Sequence, residues 1–139
     1  MVVSGTPSAW VIFSGVGKRD DEMDLALKLG IRCFNVESAA ELERLSARAA
    51  LHQRVAPVSL RVNPDVDPRT HPYISTGLKH SKFGVPLATA RGLYRRIVDD
   101  PNLHAVGVDC HIGSQVMSVA PLLEALTSLL ALVDALGRD

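Results

Sequence analysis

Aromatic rings, cysteine and unbalanced charge are all scarce in this sequence, and each shortage excludes something. Aromatic residues make up 4% of the 139 positions, too little ring surface for a platform that stacks nucleic-acid bases. Fifteen basic side chains balance fifteen acidic ones, so no net field draws the chain to nucleic acid or to an anionic membrane. Cysteine occurs only at Cys33 and Cys110, whereas a disulfide scaffold needs more cysteines in a shorter, loop-rich chain. Both lie in apolar runs that read as strands, so buried thiols in a reducing cytoplasm are the simplest expectation. The opening MVVSGTPSAW has no basic start and no long apolar core, and does not read as a signal peptide. The most apolar stretch, Leu122 to Leu136, is about one helix long, short for a membrane span, and carries Glu124 and Asp134.

Several catalytic patterns are missing as well. His71, His80, His104 and His111 are scattered, and no His-x-His or Cys-x-x-Cys pair offers a metal site. There is no Gly-x-Ser-x-Gly elbow of a hydrolase. Cysteines deep in strand runs make poor catalytic thiols.

What is present is an alternation of short β-type runs with longer helical ones. Val11 to Ser14 is the first run. Asp20 to Leu29 reads as a helix with acids in its opening turn and Gly30 as its stop. Arg32 to Val36 is the next strand. Ser38-Ala-Ala-Glu41 fits a capping box, with Ser38 as cap and Glu41 reaching back, and Leu42, Leu45 and Ala49 form the inward stripe of the helix it opens. Val58 to Val62 is a further strand. Asn63 to Lys82 is a twenty-residue stretch holding Pro64, Pro68 and Pro72, and a loop of that length in a compact domain is usually functional or disordered. A short strand at Phe83 is followed by Pro86, which fits the first position of a helix running to about Val98. His104 to Cys110 reads as a strand. Pro121 to Leu136 reads as a helix apolar around much of its circumference, so burial on more than one side is expected.

This order predicts parallel strands in an α/β fold. An open doubly wound sheet and part of a (β/α)8 barrel both satisfy it, and periodicity does not choose. In either, ligands lie beyond the C-terminal ends of the strands. The residues there are Ser14 to Lys18, Glu37 and Ser38, Arg61 to Asn63, and His111-Ile-Gly113-Ser114-Gln115. The Gly113-Ser114 pair lets backbone N–H groups and a hydroxyl approach a phosphate, and His111 could stack on a flat ring or move a proton. A solvated histidine beside an ordinary turn accounts for the same residues. Gly15-Val-Gly-Lys18 is a weak phosphate-loop signal that completes neither nucleotide-binding glycine pattern. Glu37 reads either as a charge partner in a site or as an acid before a helix N-terminus. Arg61 needs an anionic partner or solvent.

Taken together, the segments are more specific. Phe13-Ser-Gly-Val-Gly-Lys18, Cys33-Phe-Asn-Val-Glu-Ser-Ala-Ala-Glu-Leu42, Leu60-Arg-Val-Asn-Pro-Asp65, Thr70-His-Pro-Tyr through Lys82-Phe-Gly84, and Gly107-Val-Asp-Cys-His-Ile-Gly-Ser-Gln115 occur in this order. The series resembles the barrel domain of the diaminopimelate decarboxylases, enzymes dependent on pyridoxal 5'-phosphate (PLP). Thr70 to Gly84 is its most specific part, since the related ornithine and arginine decarboxylases differ there. The resemblance covers roughly residues 11 to 137; residues 1–10 read as an unrelated or disordered start, and 11–139 as a partial PLP-binding barrel domain.

The resemblance implies an alanine-racemase-type (β/α)8 barrel, here partial. It implies that His111 stacks on the pyridine ring, that Gly113 and Ser114 hold the cofactor phosphate, and that Arg61 and Glu37 belong to the cofactor neighbourhood. Lys82 matches a lysine that pairs across a homodimer interface. The family's PLP lysine sits in a Tyr-Ala-Val-Lys-Ala-Asn-like strand upstream of these motifs, and no lysine here lies in such a strand. A glycine-rich phosphate loop, a Glu-Pro-Gly-Arg segment and a C-terminal β-domain are expected downstream. The implied reaction converts meso-2,6-diaminopimelate to L-lysine and CO2, and the chain by itself is expected to be inactive and to self-associate. An ornithine- or arginine-type decarboxylase fragment and a non-catalytic remnant or dimerising regulator are the alternatives.

Overall fold

In a computed structural model, residues 5–64, 66, 83–113, 116 and 118–138 are described. Their elements run β1 (Ile12–Phe13), α1 (Asp20–Leu29), β2 (Cys33–Val36), α2 (Ala39–Leu51), β3 (Ala56–Asn63), β4 (Val85–Pro86), α3 (Leu87–Asp99), β5 (Leu103–Asp109) and α4 (Ala120–Leu136), after a single 3-10 turn at Ser8–Trp10. Every strand pairing is parallel. β1 pairs β2, β2 pairs β3, and β3 pairs both β4, near its C-terminal end, and β5, along most of its length. Parallel neighbours need a crossover between them, which α1, α2 and α3 supply.

Strand alternation sorts the side chains into two faces. Phe34 and Val36 of β2 and Ala56, Val58, Leu60 and Val62 of β3 enter a core with Met23, Leu27, Leu42, Leu45, Ala90, Leu93 and Ile97 from the helices. The residues between them are Cys33, Asn35, Pro57, Ser59, Arg61 and Asn63, a mostly polar set. In β5 the register shifts opposite Val58/Ser59, so that Ala105 pairs Val58 and Gly107 pairs Ser59. Val106 is thus the extra residue of a bulge.

Local signals explain the element ends. Gly30 closes α1 at φ +62, a left-handed conformation in which a glycine carries no Cβ penalty. At the other end the Glu22 carboxylate accepts from the Arg19 backbone N–H at 2.9 Å. Ser38 Oγ accepts from the Glu41 N–H at 3.1 Å, so Ser38 caps α2 as its spacing predicts. The reciprocal half of the box is not made, because the Glu41 carboxylate is engaged elsewhere. Pro86 precedes α3 as its N-cap and also pairs with Asn63, and the short strand predicted at Phe83 lies at Val85–Pro86. Cys110 falls one residue beyond β5.

α4 departs from expectation. Only Pro121, Ala125 and Leu132 of it are buried, while Leu122, Leu123, Leu126, Leu130 and Val133 are about half exposed. The all-round apolar character of the sequence is real, but the described residues cover one side of the helix.

Candidate functional site

Because the strands are parallel, their C-terminal ends lie at one end of the sheet. The pairing of Arg61 with Asp109 places His111 just past the strand beside Arg61, and the pairing of Val36 with Leu60 puts Glu37 beside the same residue. Ser14 follows β1 directly. The strand-end candidates therefore gather on one rim, as the sequence predicts.

Glu37 and Arg61, whose roles the sequence leaves open, are each other's partner. An Arg61 Nη donates to Glu37 Oε2 at 2.9 Å, with the Glu37 side chain 2% and the Arg61 side chain 16% exposed. A carboxylate so buried needs a counter-ion and its remaining lone pairs filled. The second oxygen, Oε1, accepts from the Gly15 N–H at 3.0 Å. Gly15 has φ +111, a conformation that favours glycine, and it turns the β1–α1 loop toward Glu37. Arg61 also stacks over Phe83, with 5.8 Å from its guanidinium carbon to the ring centroid.

Lys18 is not the phosphate ligand that Gly-Val-Gly-Lys hints at. It is 3% exposed, and its ammonium donates to Gly15 O and Asn35 O, each at 2.7 Å, and to Glu41 Oε1 at 2.5 Å. Three donors meeting three acceptors satisfy an ammonium fully. Lys28, the other described lysine, is exposed on α1. Nor does either thiol supply a nucleophile. Burial pushes the Cys33 thiol up, and burial with the neighbouring Asp109 does the same to Cys110, so both stay protonated at neutral pH.

His111 is exposed at the rim, and Gly113 has φ +130, opening the loop after β5. Ser114 and Lys82 lie outside the described residues. Below the rim, Tyr94 from α3 donates to Gly107 O at 2.7 Å. Burial pushes its phenol up to about 12, so it remains a donor at any ordinary pH. The described rim thus offers one fixed guanidinium, one exposed imidazole and glycine-rich loops. That donor set suits an anionic group and a flat ring, and contains no free nucleophile.

A model of the pyridoxal-dependent decarboxylases, covering their pyridoxal-binding domain, matches residues 1–138, and the chain belongs to that family. The match includes residues 1–10, for which the sequence predicts an unrelated or disordered start. Among its relatives are diaminopimelate decarboxylases. That of Neisseria meningitidis serogroup A is 51% identical over all of this chain and 34% of its own length, and that of Pseudomonas aeruginosa is 55% identical over 99% of this chain and 33% of its own. The chain thus spans about a third of the length of these relatives. The crystal structure of diaminopimelate decarboxylase from Helicobacter pylori complexed with L-lysine superposes with a TM-score of 0.89 at 40% identity, covering 96% of this chain and 34% of that one. An alanine racemase from Clostridium difficile shares the fold, with a TM-score of 0.68 at 12% identity. The architecture is accordingly part of the alanine-racemase-type (β/α)8 barrel, and the open doubly wound alternative falls away.

Proposed function

We propose that this chain forms the strand-end wall of a diaminopimelate decarboxylase, acting on meso-2,6-diaminopimelate to release CO2 and L-lysine. The observation that carries the reading is the Glu37–Arg61 pair on the same rim as His111, in a chain about half identical to enzymes of that name.

The residues fit part of a PLP site. His111 supplies an exposed imidazole to lie against a flat pyridine ring. Arg61 supplies a guanidinium whose direction Glu37 fixes, and the loop at Gly113 supplies backbone N–H groups that approach a phosphate closely, with Ser114 as the family's hydroxyl ligand. PLP, when bound, supplies the electron sink that accepts the pair left by CO2. The work of these residues is to hold ring and phosphate in one orientation, which lowers the barrier by positioning. They do not supply the covalent lysine. Lys18 is occupied, Lys28 lies on the outer helix α1, and neither Lys79 nor Lys82 falls in the strand motif in which the family carries its PLP lysine, so none of this chain's lysines is assigned covalent capture. The whole protein is taken to be a homodimer with Lys82 at its interface, and the two protonated thiols of this chain suit a reducing cytoplasm.

The test is a chimera in which this chain replaces the corresponding third of the Neisseria meningitidis enzyme. Lysine release from diaminopimelate, with none of the matching products from ornithine or arginine, is the expected outcome. A folded, PLP-loaded chimera that decarboxylates ornithine or arginine instead overturns the substrate assignment. The isolated chain, treated with PLP and borohydride and mapped by peptide mass, is expected to carry no stoichiometric label on any lysine.

A further inference from the structure

Lys18 and Glu41 come from motifs that the sequence reads as a phosphate loop and a helix cap, and the structure gives them neither role. They are instead two members of a closed ring of contacts. Lys18 Nζ binds Gly15 O at 2.7 Å and Glu41 Oε1 at 2.5 Å. Glu41 Oε2 accepts from the Glu37 N–H at 3.3 Å. The Glu37 carboxylate then accepts from the Gly15 N–H at 3.0 Å, and Gly15 O returns to Lys18. Arg61 attaches to this ring from the strand-end side, through Glu37 Oε2 at 2.9 Å. Lys18 also ties in the Asn35 carbonyl at 2.7 Å and lies 5.5 Å from the Phe13 ring centroid, so β1, β2 and the first turn of α2 are joined at one ammonium.

We propose that Lys18 and Glu41 are positioning residues: they fix both the backbone and the carboxylate of Glu37, and through it hold the Arg61 guanidinium at the rim. That this rim receives a PLP cofactor rests on the function proposed above; the orientation of Arg61 does not. A buried carboxylate with only Arg61 as partner can follow the guanidinium toward solvent. Glu37 cannot, because Gly15 holds its other oxygen and Glu41 holds its backbone, and both are anchored on Lys18. Arginine's planar fork then meets a fixed acceptor, which is what directional binding of an anion requires.

The test separates positioning from bulk stability. Lys18→Met alone leaves Glu41 a buried, uncompensated anion and is expected to lower the melting temperature. The double variant K18M/E41L removes both charges in favour of apolar groups of similar size, and is expected to melt above K18M but below the parent, because the Gly15 and Asn35 carbonyls and the Glu37 N–H lose their partners. A milder variant, Glu41→Gln, keeps an acceptor for the Glu37 N–H and is expected to fold with a smaller effect on Arg61. The readout is the Arg61 guanidinium, observed by 15N NMR and assigned by its loss in R61K. In the parent its Nη groups are expected to rotate and exchange slowly. In K18M/E41L the exchange is expected to quicken about tenfold or more, the scale of one lost charge-assisted hydrogen bond. Unchanged Arg61 signals in the folded double variant, or in E41Q if that alone folds, overturn the proposal.

A parallel titration uses pyridoxamine 5'-phosphate, which cannot form the covalent link to lysine. Weaker binding by K18M/E41L, alongside the loosened Arg61, is the expected result. The chain alone is expected to bind it weakly or not at all, so the titration is made on the chimera described above. If the folded chimera carrying the parent chain does not bind it while Arg61 still loosens in the variant, the positioning role stands and the cofactor reading of the rim fails.

Discussion

A Cβ added to Gly84 would lie 2.8 Å from the backbone oxygen of Arg61, so the loop leading into β4 packs directly on the strand that carries the rim guanidinium. Gly84 has φ +84, a region that side chains disfavour. Gly84→Ala therefore combines a backbone clash with conformational strain. It is expected to cost more than the ~1–3 kcal/mol of strain alone. Gly30→Ala is the control, with a similar φ of +62 and nothing within 4 Å of the new Cβ, and should cost only about 1–2 kcal/mol. Urea unfolding of both variants checks the difference. Equal losses would show that the contact with Arg61 contributes nothing.

A second prediction concerns acid. Asp24 on α1 is paired with Arg48 on α2 through two nitrogens, Nε at 2.7 Å and the terminal amino group. His52 Nε2 lies 2.9 Å from Asp24 Oδ1, close enough to bear on the carboxylate but not aligned as a hydrogen bond to it. The hydrogen bond from Arg48, reinforced by His52 and opposed by desolvation, holds the Asp24 carboxyl down at about 2. A depressed carboxyl stabilises the fold above its unfolded value, about 3.9. That contribution is lost as pH falls from there through about 2. Asp24→Asn is expected to be less stable than the parent at neutral pH, with the gap narrowing across this acid window. Denaturant midpoints measured at neutral pH and near pH 2 check the sign. A gap that widens in acid would mean that the pair is not what lowers the Asp24 carboxyl.

How far the fold and site were legible depends on whether the relevant partner is near in sequence. α1 was readable from end to end, because its acids, its apolar spacing and Gly30 all lie within one short segment. The rim was readable too, since parallel strands put Ser14, Glu37, Arg61 and His111 at one end whatever the barrel's closure. The network behind it was not. Glu41 sits three residues after Ser38, where local capping logic applies, yet its carboxylate goes to Lys18, 23 residues away in sequence. The deciding term is the need of a buried ammonium for a counter-ion, and burial of Lys18 is a tertiary fact. Only half of the box signature survived, the Ser38 hydroxyl accepting from Glu41 N–H. A signal was nevertheless present: a lysine after a glycine-rich turn, a glutamate just past a strand and another in the first turn of the next helix together imply a charge balance that neither motif implies alone.

The last prediction concerns self-association, and α4 supplies its reason. Leu122, Leu126 and Leu130 recur every four residues along this helix, and they and Val133 are each about half exposed. Residues at that spacing share one face, so the exposure forms a continuous apolar stripe and not scattered single side chains. Beside the helix, Tyr94, Val98, Val108, Val133 and Leu136 line an open, mostly apolar groove, and Val98 is 77% exposed. Contiguous apolar surface of this kind drives association in water. Among the described residues β5 pairs only with β3, so its other edge is a second template for pairing with another chain. The purified chain is expected to run above its monomer mass in sedimentation or light scattering, increasingly so with concentration. Replacing Leu126 and Leu130 by lysine should shift it toward the monomer while leaving the melting temperature nearly unchanged, because neither side chain belongs to the buried core. If the double variant associates as strongly as the parent, the stripe is not the contact, and the β5 edge becomes the surface to alter next. A parent chain that is monomeric and melts cooperatively at every concentration would show that neither surface drives association.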